Sequence, residues 1–189
     1  MRAAIYYGKE DIRMEERDKP EIGVMDILVK NLYASICGTD AAVYTHGPGT
    51  GHRVTVGGEF GHEVVSEVIE VGNEVTDIKV GDRIYPYPRE AKRDPRRAGT
   101  LGGFSEYMLL PNPKWGEQIY RVSDQISDRE ACLIEPFTVG CRAARRSRPK
   151  AGEHAVVFGA GTIGIACFKW FYRRCGAGVK CNYTLLRCI

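Results

Sequence analysis

From Met1 to Leu110 the apolar positions fall in short runs broken by turn residues, which is the pattern of strands rather than helices. Ala3–Tyr7 and Ile12–Glu16 flank Gly8-Lys9-Glu10-Asp11, a turn by composition. Asp26–Ser35 is a longer run, with Ile27, Val29, Leu32 and Ala34 among alternating polar positions. Cys37-Gly38-Thr39-Asp40 then opens a loop, and one helical turn is expected over Asp40–Tyr44. Residues 46–58 hold five glycines and a proline and read as loop. Val64–Val71 is strand-like and ends at Gly72-Asn73, and Val80-Gly81-Asp82-Arg83 turns into a strand at Ile84–Tyr87. Pro88–Thr100 is polar and basic, and Phe104–Leu110 returns to a strand.

The pattern changes near Ser127. Ser127-Asp128-Arg129-Glu130 is a capping box, with a helix expected over Asp128–Leu133. A second helix is expected over Pro136–Arg146, with Val139, Ala143 and Ala144 on its buried face. Pro149-Lys150-Ala151-Gly152 reads as a boundary turn. His154–Phe158 is a short, buried strand by pattern, and it runs into Gly159-Ala160-Gly161-Thr162-Ile163-Gly164 and a helix from Thr162 to about Arg174. The fold class is therefore mixed α+β. A β-rich domain spans residues 1–150, and the opening strand–turn–helix of an incomplete Rossmann domain spans 151–189.

With 43% apolar and 27% charged residues, the chain has the balance of a globular protein rather than a disordered one. The net charge of +3 is too small to argue for nucleic acid. The basic stretch Arg89–Arg97 is interrupted by Glu90, Asp94 and Pro95 and has no interleaved aromatic, so it reads as a solvated loop. No apolar run reaches the length of a membrane span, and Met1–Tyr7 reads as a first strand rather than a signal peptide. The seven cysteines lack the regular spacing of a secreted disulfide scaffold, which points to the cytoplasm. No Cys-x-x-Cys pair occurs, so a four-cysteine structural zinc lobe is not expected.

Candidate chemistry gathers in three places. Gly61-His62-Glu63 sets an imidazole beside a carboxylate, Cys37 supplies a thiol, and Glu135 lies far downstream. Thiolate, imidazole and carboxylate from separate segments are what a catalytic zinc uses, with three protein ligands and a fourth position for water or substrate. Singly, Cys37 also fits a small buried hydrophobe and His62 a hydrogen-bonded core histidine. Together, in glycine-rich loops, they favour metal ligation. Glu135 sits in Leu133-Ile134-Glu135-Pro136-Phe137, an apolar setting where an unpartnered charge is costly. Thr39 can either pass a proton from a zinc-bound alcohol or bond its own turn. The third place is Gly159-x-Gly161-x-x-Gly164, where a strand meets a helix N-terminus. That context suits a dinucleotide pyrophosphate, with Thr162 and Ile163 inside the turn. Its usual acidic partner, about 20 positions further on, is absent from residues 179–189.

Cys37-Gly38-Thr39-Asp40, Gly61-His62-Glu63, Gly72, Val80-Gly81-Asp82-Arg83, Gly102-Gly103-Phe104-Ser105-Glu106-Tyr107, Ile134-Glu135-Pro136 and Gly159–Gly164 occur in an order that resembles the zinc-dependent medium-chain dehydrogenases. The polyol (sorbitol/iditol) branch is the nearest match, over about residues 1–165. The resemblance implies a GroES-like catalytic domain and a Rossmann domain. It implies one catalytic zinc held by Cys37 and His62, with Glu63 binding or beside it. Glu135 falls at the position filled by cysteine in alcohol dehydrogenases and by glutamate in polyol dehydrogenases. Thr39 matches the hydroxyl that takes the alcohol proton, and Gly159, Gly161 and Gly164 match the pyrophosphate turn. The implied reaction moves hydride between a small alcohol or polyol and NAD(P). The family forms homo-oligomers largely through its Rossmann domains.

Ser66 stands where the family usually has glycine, and Ala42 where many members have a relay histidine. Family members are also roughly twice as long, because a full Rossmann half needs further βα units. After Gly164 come five basic residues, four of the seven cysteines and no acid, an ending that fits a truncated or frame-shifted product. The competing function is a non-catalytic zinc-binding GroES-like fragment that cannot hold a dinucleotide. A zinc-free quinone-reductase relative is disfavoured by Cys37, His62 and Glu135 occurring together.

Overall fold

A computed structural model of the chain describes residues 1–49, 54–88, 102–150, 152–176 and 182–186. The chain divides into two compact units, Met1–Leu133 and Ile134–Ile189.

The first unit is built on two antiparallel sheets. In the smaller, β1 (Arg2–Gly8) lies between β2 (Asp11–Glu16) and β4 (Gly58–Glu59). The larger has five strands in the order β7 (Tyr107–Leu110), β3 (Ile27–Ser35), β5 (Glu63–Val71), β6 (Arg83–Pro86) and β8 (Ile119–Arg121). β3 and β5 are its central pair. Their inward residues, including Ile27, Val29, Val64 and Val68, form one core with Ile78, Ile84, Met108 and Ile119. β3 and β5 run antiparallel from Ile27↔Val71 to Ser35↔Glu63, and the register shifts twice on the way, between Leu28 and Val29 and between Asn31 and Tyr33. Ser66, in place of the glycine expected there, is fully buried, and its hydroxyl donates to Asn31 Oδ1 at 2.8 Å.

A second apolar cluster joins the smaller sheet to α1 (Gly38–His46) through Tyr6, Val43 and Phe60. Tyr6 and Phe60 stack at 5.8 Å between centroids. α1 runs for nine residues, where the sequence predicts one turn. Val43, buried against Tyr6 and Phe60, explains the extension, since tertiary packing rather than local propensity holds most short helices. The expected loop over 46–58 contains Gly58 at the start of β4, and residues 50–53 lie outside those described. Most of Pro88–Thr100 lies outside them too. α2 (Asp128–Ala131) begins at the expected capping box, with Ser127 Oγ accepting from Glu130 N–H, but it stops short of Leu133.

The second unit contains α3 (Ile134–Arg146), β9 (His154–Phe158), α4 (Thr162–Gly176) and β10 (Asn182–Leu186). β10 pairs parallel to β9, from Asn182↔His154 to Leu186↔Phe158, so the unit holds a strand–helix–strand crossover, one strand more than the sequence predicts. Two further expectations are corrected. Val139 and Ala143 are exposed, and α3 buries Pro136 and Gly140 along with Ala144, which was expected there. Gly140 is chosen because α4 comes so close: a Cβ there would lie 2.6 Å from both the Ala166 Cβ and the Ile163 carbonyl oxygen. β9 is not buried, with His154, Val156 and Phe158 exposed on alternate positions. A parallel strand reads as apolar throughout because it is made to be covered on both faces, and a two-stranded sheet covers little.

Candidate metal centre

The site grows out of the β3–β5 register. β3 ends at Ser35, directly opposite Glu63 at the start of β5. Cys37 follows β3 by two residues and His62 immediately precedes β5, so the antiparallel pairing carries them to the same end of the sheet. The ligand atoms of Cys37, His62 and Glu63 all lie within 4.8 Å of one another, the one such group of three found among the described residues. His62 and Glu63 are only 4% and 3% exposed. Gly61 sets the approach to His62. Its φ is +93°, and a Cβ would lie 2.7 Å from the Phe104 ring, so two separate constraints require glycine there.

Several polar groups surround these three. Asp40, 2% exposed, sits at the third position of α1. Its Oδ2 accepts the Cys37 backbone N–H at 2.9 Å, and its Oδ1 faces His62 Nδ1 at 3.2 Å. That second contact is an electrostatic pairing rather than a well-aligned hydrogen bond. Burial works against charge on His62, but the Asp40 carboxylate and the Cys37 sulfur outweigh it and raise its pKa to about 10. Thr39 Oγ1 donates to Cys37 Sγ at 3.0 Å. Ser35 Oγ donates to Glu63 Oε2. Cys132, capping the C-terminus of α2, is 4% exposed and donates to the Arg129 carbonyl at 3.2 Å.

The donor set itself tests which ion would fit. A thiol beside an imidazole and a carboxylate suits borderline zinc and disfavours calcium and magnesium, which take oxygen ligands. The buried carboxylate at His62 is the outer-shell partner that zinc-binding histidines ordinarily have. The residues fit zinc.

The structure brings together Cys37, His62 and Glu63, with Thr39 on the Cys37 sulfur. Glu135 belongs to the second unit. It lies half-buried in the first turn of α3, and its carbonyl accepts from Thr138 Oγ1 at 2.8 Å. The glycine turn is also there, between β9 and α4. Gly159 has φ +97°, Thr162 begins the helix, and a Cβ on Gly164 would collide with the Gly159 carbonyl oxygen. Gly164 therefore allows the helix to pack tightly against the turn. Sequence reading gave Asp40 and Ser35 no role. The only available signal for Asp40 was its place three residues after a helix N-cap. Ser35 had none, because its partner comes from another strand.

The first unit thus gathers a thiol, an imidazole and a carboxylate at the end of its central strand pair, and a glycine turn follows later in the chain. Residues 23–120, more than half of the chain, match the alcohol dehydrogenase GroES-like domain, and the chain belongs to that family. It is 33% identical to the (R,R)-butanediol dehydrogenase of Bacillus subtilis (strain 168), over 87% of this chain and 53% of that protein. The same organism's sorbitol dehydrogenase is 30% identical, over 87% and 50%. The crystal structure of the B. subtilis 2R,3R-butanediol dehydrogenase superposes with a TM-score of 0.76 at 27% identity, covering 97% of this chain and 62% of that one. The chain spans about half the length of the curated relatives it matches.

Proposed function

We propose that the chain is the N-terminal portion of a zinc-dependent oxidoreductase that moves hydride between a small alcohol or polyol and NAD(P). The convergence of Cys37, His62 and Glu63 within 4.8 Å carries this reading. Cys37, His62 and Glu63 would hold the ion, and Glu135 is proposed as a further carboxylate on the strength of its sequence context alone. When bound, zinc supplies Lewis acidity toward an alcohol oxygen. The Asp40 carboxylate faces His62 Nδ1 at 3.2 Å, so Nε2 would be the nitrogen offered to the metal. Thr39, hydrogen-bonded to the Cys37 sulfur, is placed to take the proton of the substrate alcohol. Gly159, Gly161, Thr162, Ile163 and Gly164 supply the close backbone approach and helix N-terminus that a dinucleotide pyrophosphate needs. Glutamate at position 135, together with relatives named for butanediol and sorbitol, supports a polyol over a simple alcohol.

Zinc content of the purified chain tests this. One zinc per chain is expected, lost in Cys37→Ser and weakened in Glu135→Ala. A chain without zinc, or with zinc indifferent to both substitutions, overturns the ligand assignment.

A second reading is zinc binding without dinucleotide binding. The absence of any acidic residue after Gly164 favours it, since such a residue ordinarily holds the ribose hydroxyl. Titration of the purified chain with NAD⁺ and NADP⁺ separates the two readings.

A further inference from the structure

Glu63 has a requirement that Cys37 and His62 do not meet. At 3% exposure its carboxylate is cut off from water, and a buried charge needs its lone pairs bonded. The hydroxyl of Ser35 answers it. Ser35 is the last residue of β3, sits across the register from Glu63, and donates to Oε2. A carboxylate can only accept, so the single Ser35 proton is committed to it. The buried Cys132 thiol also lies near Ser35, and it donates to the Arg129 carbonyl at 3.2 Å.

We propose that Ser35 is a positioning residue of the metal centre: it holds one oxygen of Glu63 so that the other is presented to the ion beside Cys37 and His62. The inference rests on the zinc reading above. A metal-binding carboxylate is itself generally hydrogen-bonded, and the loss of such a partner typically lowers metal affinity roughly 10–100-fold. Here that partner comes from the strand facing Glu63, so the pairing that builds the sheet also aims the ligand.

The test uses the full chain with Ser35→Ala, Glu63→Gln and the double variant. Zinc and cobalt(II) affinities are measured against a competing chelator, and the cobalt(II) visible spectrum is recorded. Ser35→Ala should bind both ions roughly 10–100-fold more weakly, with a changed spectrum. In the Glu63→Gln background the same substitution should have little further effect. The near-isosteric pair Ser35→Thr and Ser35→Val guards against a packing defect. Threonine should retain the parental spectrum and affinity, and valine should not. Parental binding by Ser35→Ala, or an equal loss with and without Glu63, overturns the proposal while leaving the zinc site standing. A parent chain that binds neither ion overturns both.

Discussion

Asp40 divides its carboxylate between the Cys37 backbone N–H and the His62 ring, at 2.9 and 3.2 Å. Asn in its place can keep the first contact through its amide oxygen but removes the charge beside His62. Asp40→Asn should therefore weaken zinc binding roughly 10–100-fold while α1 persists, which metal titration alongside circular dichroism would check. The clustering of Cys37, His62 and Glu63 was readable in the sequence because their residue types are rare together and flanked by glycines. Their helpers were not. Asp40 and His62 are far apart in the chain, and only the packing of α1 against Tyr6 and Phe60 turns one toward the other. Thr39 was legible as a hydroxyl near the site. Its bond to the Cys37 sulfur is set by the backbone of the first helical turn.

The start of α2 shows what a local pattern can deliver. The capping box expected at Ser127 is present, with Glu130 accepting from both the Ser127 backbone N–H and its hydroxyl at 2.9 and 2.8 Å. The backbone bond first, and then the hydroxyl, lower the Glu130 pKa below its ordinary value of 4.5. A carboxylate with a lowered folded-state pKa stabilises the fold above its unfolded value, and that contribution disappears as pH falls through the folded value. In Glu130→Gln the urea midpoint should therefore fall less steeply than in the parent between about pH 5 and pH 3. A parallel decline in the two proteins would remove Glu130 from the acid response. Elements that depend on distant partners were harder to read. β8 is three residues long and exists because Ile84, Tyr85 and Pro86 of β6 pair with it. On α3 Ala144 was placed correctly, but Val139 was misread because close helix approach selects Gly140 over a larger residue.

Across the molecule the two units carry different parts of the chemistry, three candidate metal ligands in the first and the glycine turn with Glu135 in the second. Their order along the chain was legible because each is announced by short motifs. The β9–β10 crossover was not, because the tail lacks the acidic residue that would have marked a strand end. Since the three clustered donors lie within Met1–Leu133, zinc should stabilise that unit directly. At a free concentration 100 times its Kd the gain is about 2.7 kcal/mol, seen as a rise in its unfolding midpoint that EDTA reverses. No shift on adding zinc would mean the three donors do not act as one site. The β3–β5 register gives this coupling a further meaning. Two shifts in register precede the Ser35–Glu63 pair, and a slip of one residue would turn Glu63 to the opposite face of the sheet. Correct strand alignment is then a precondition of the site, so a newly made chain would gather its three donors only once its central strands have paired in register. Zinc retention would thus work as a vernier on folding, distinguishing correctly aligned molecules from compact ones that are off by one residue.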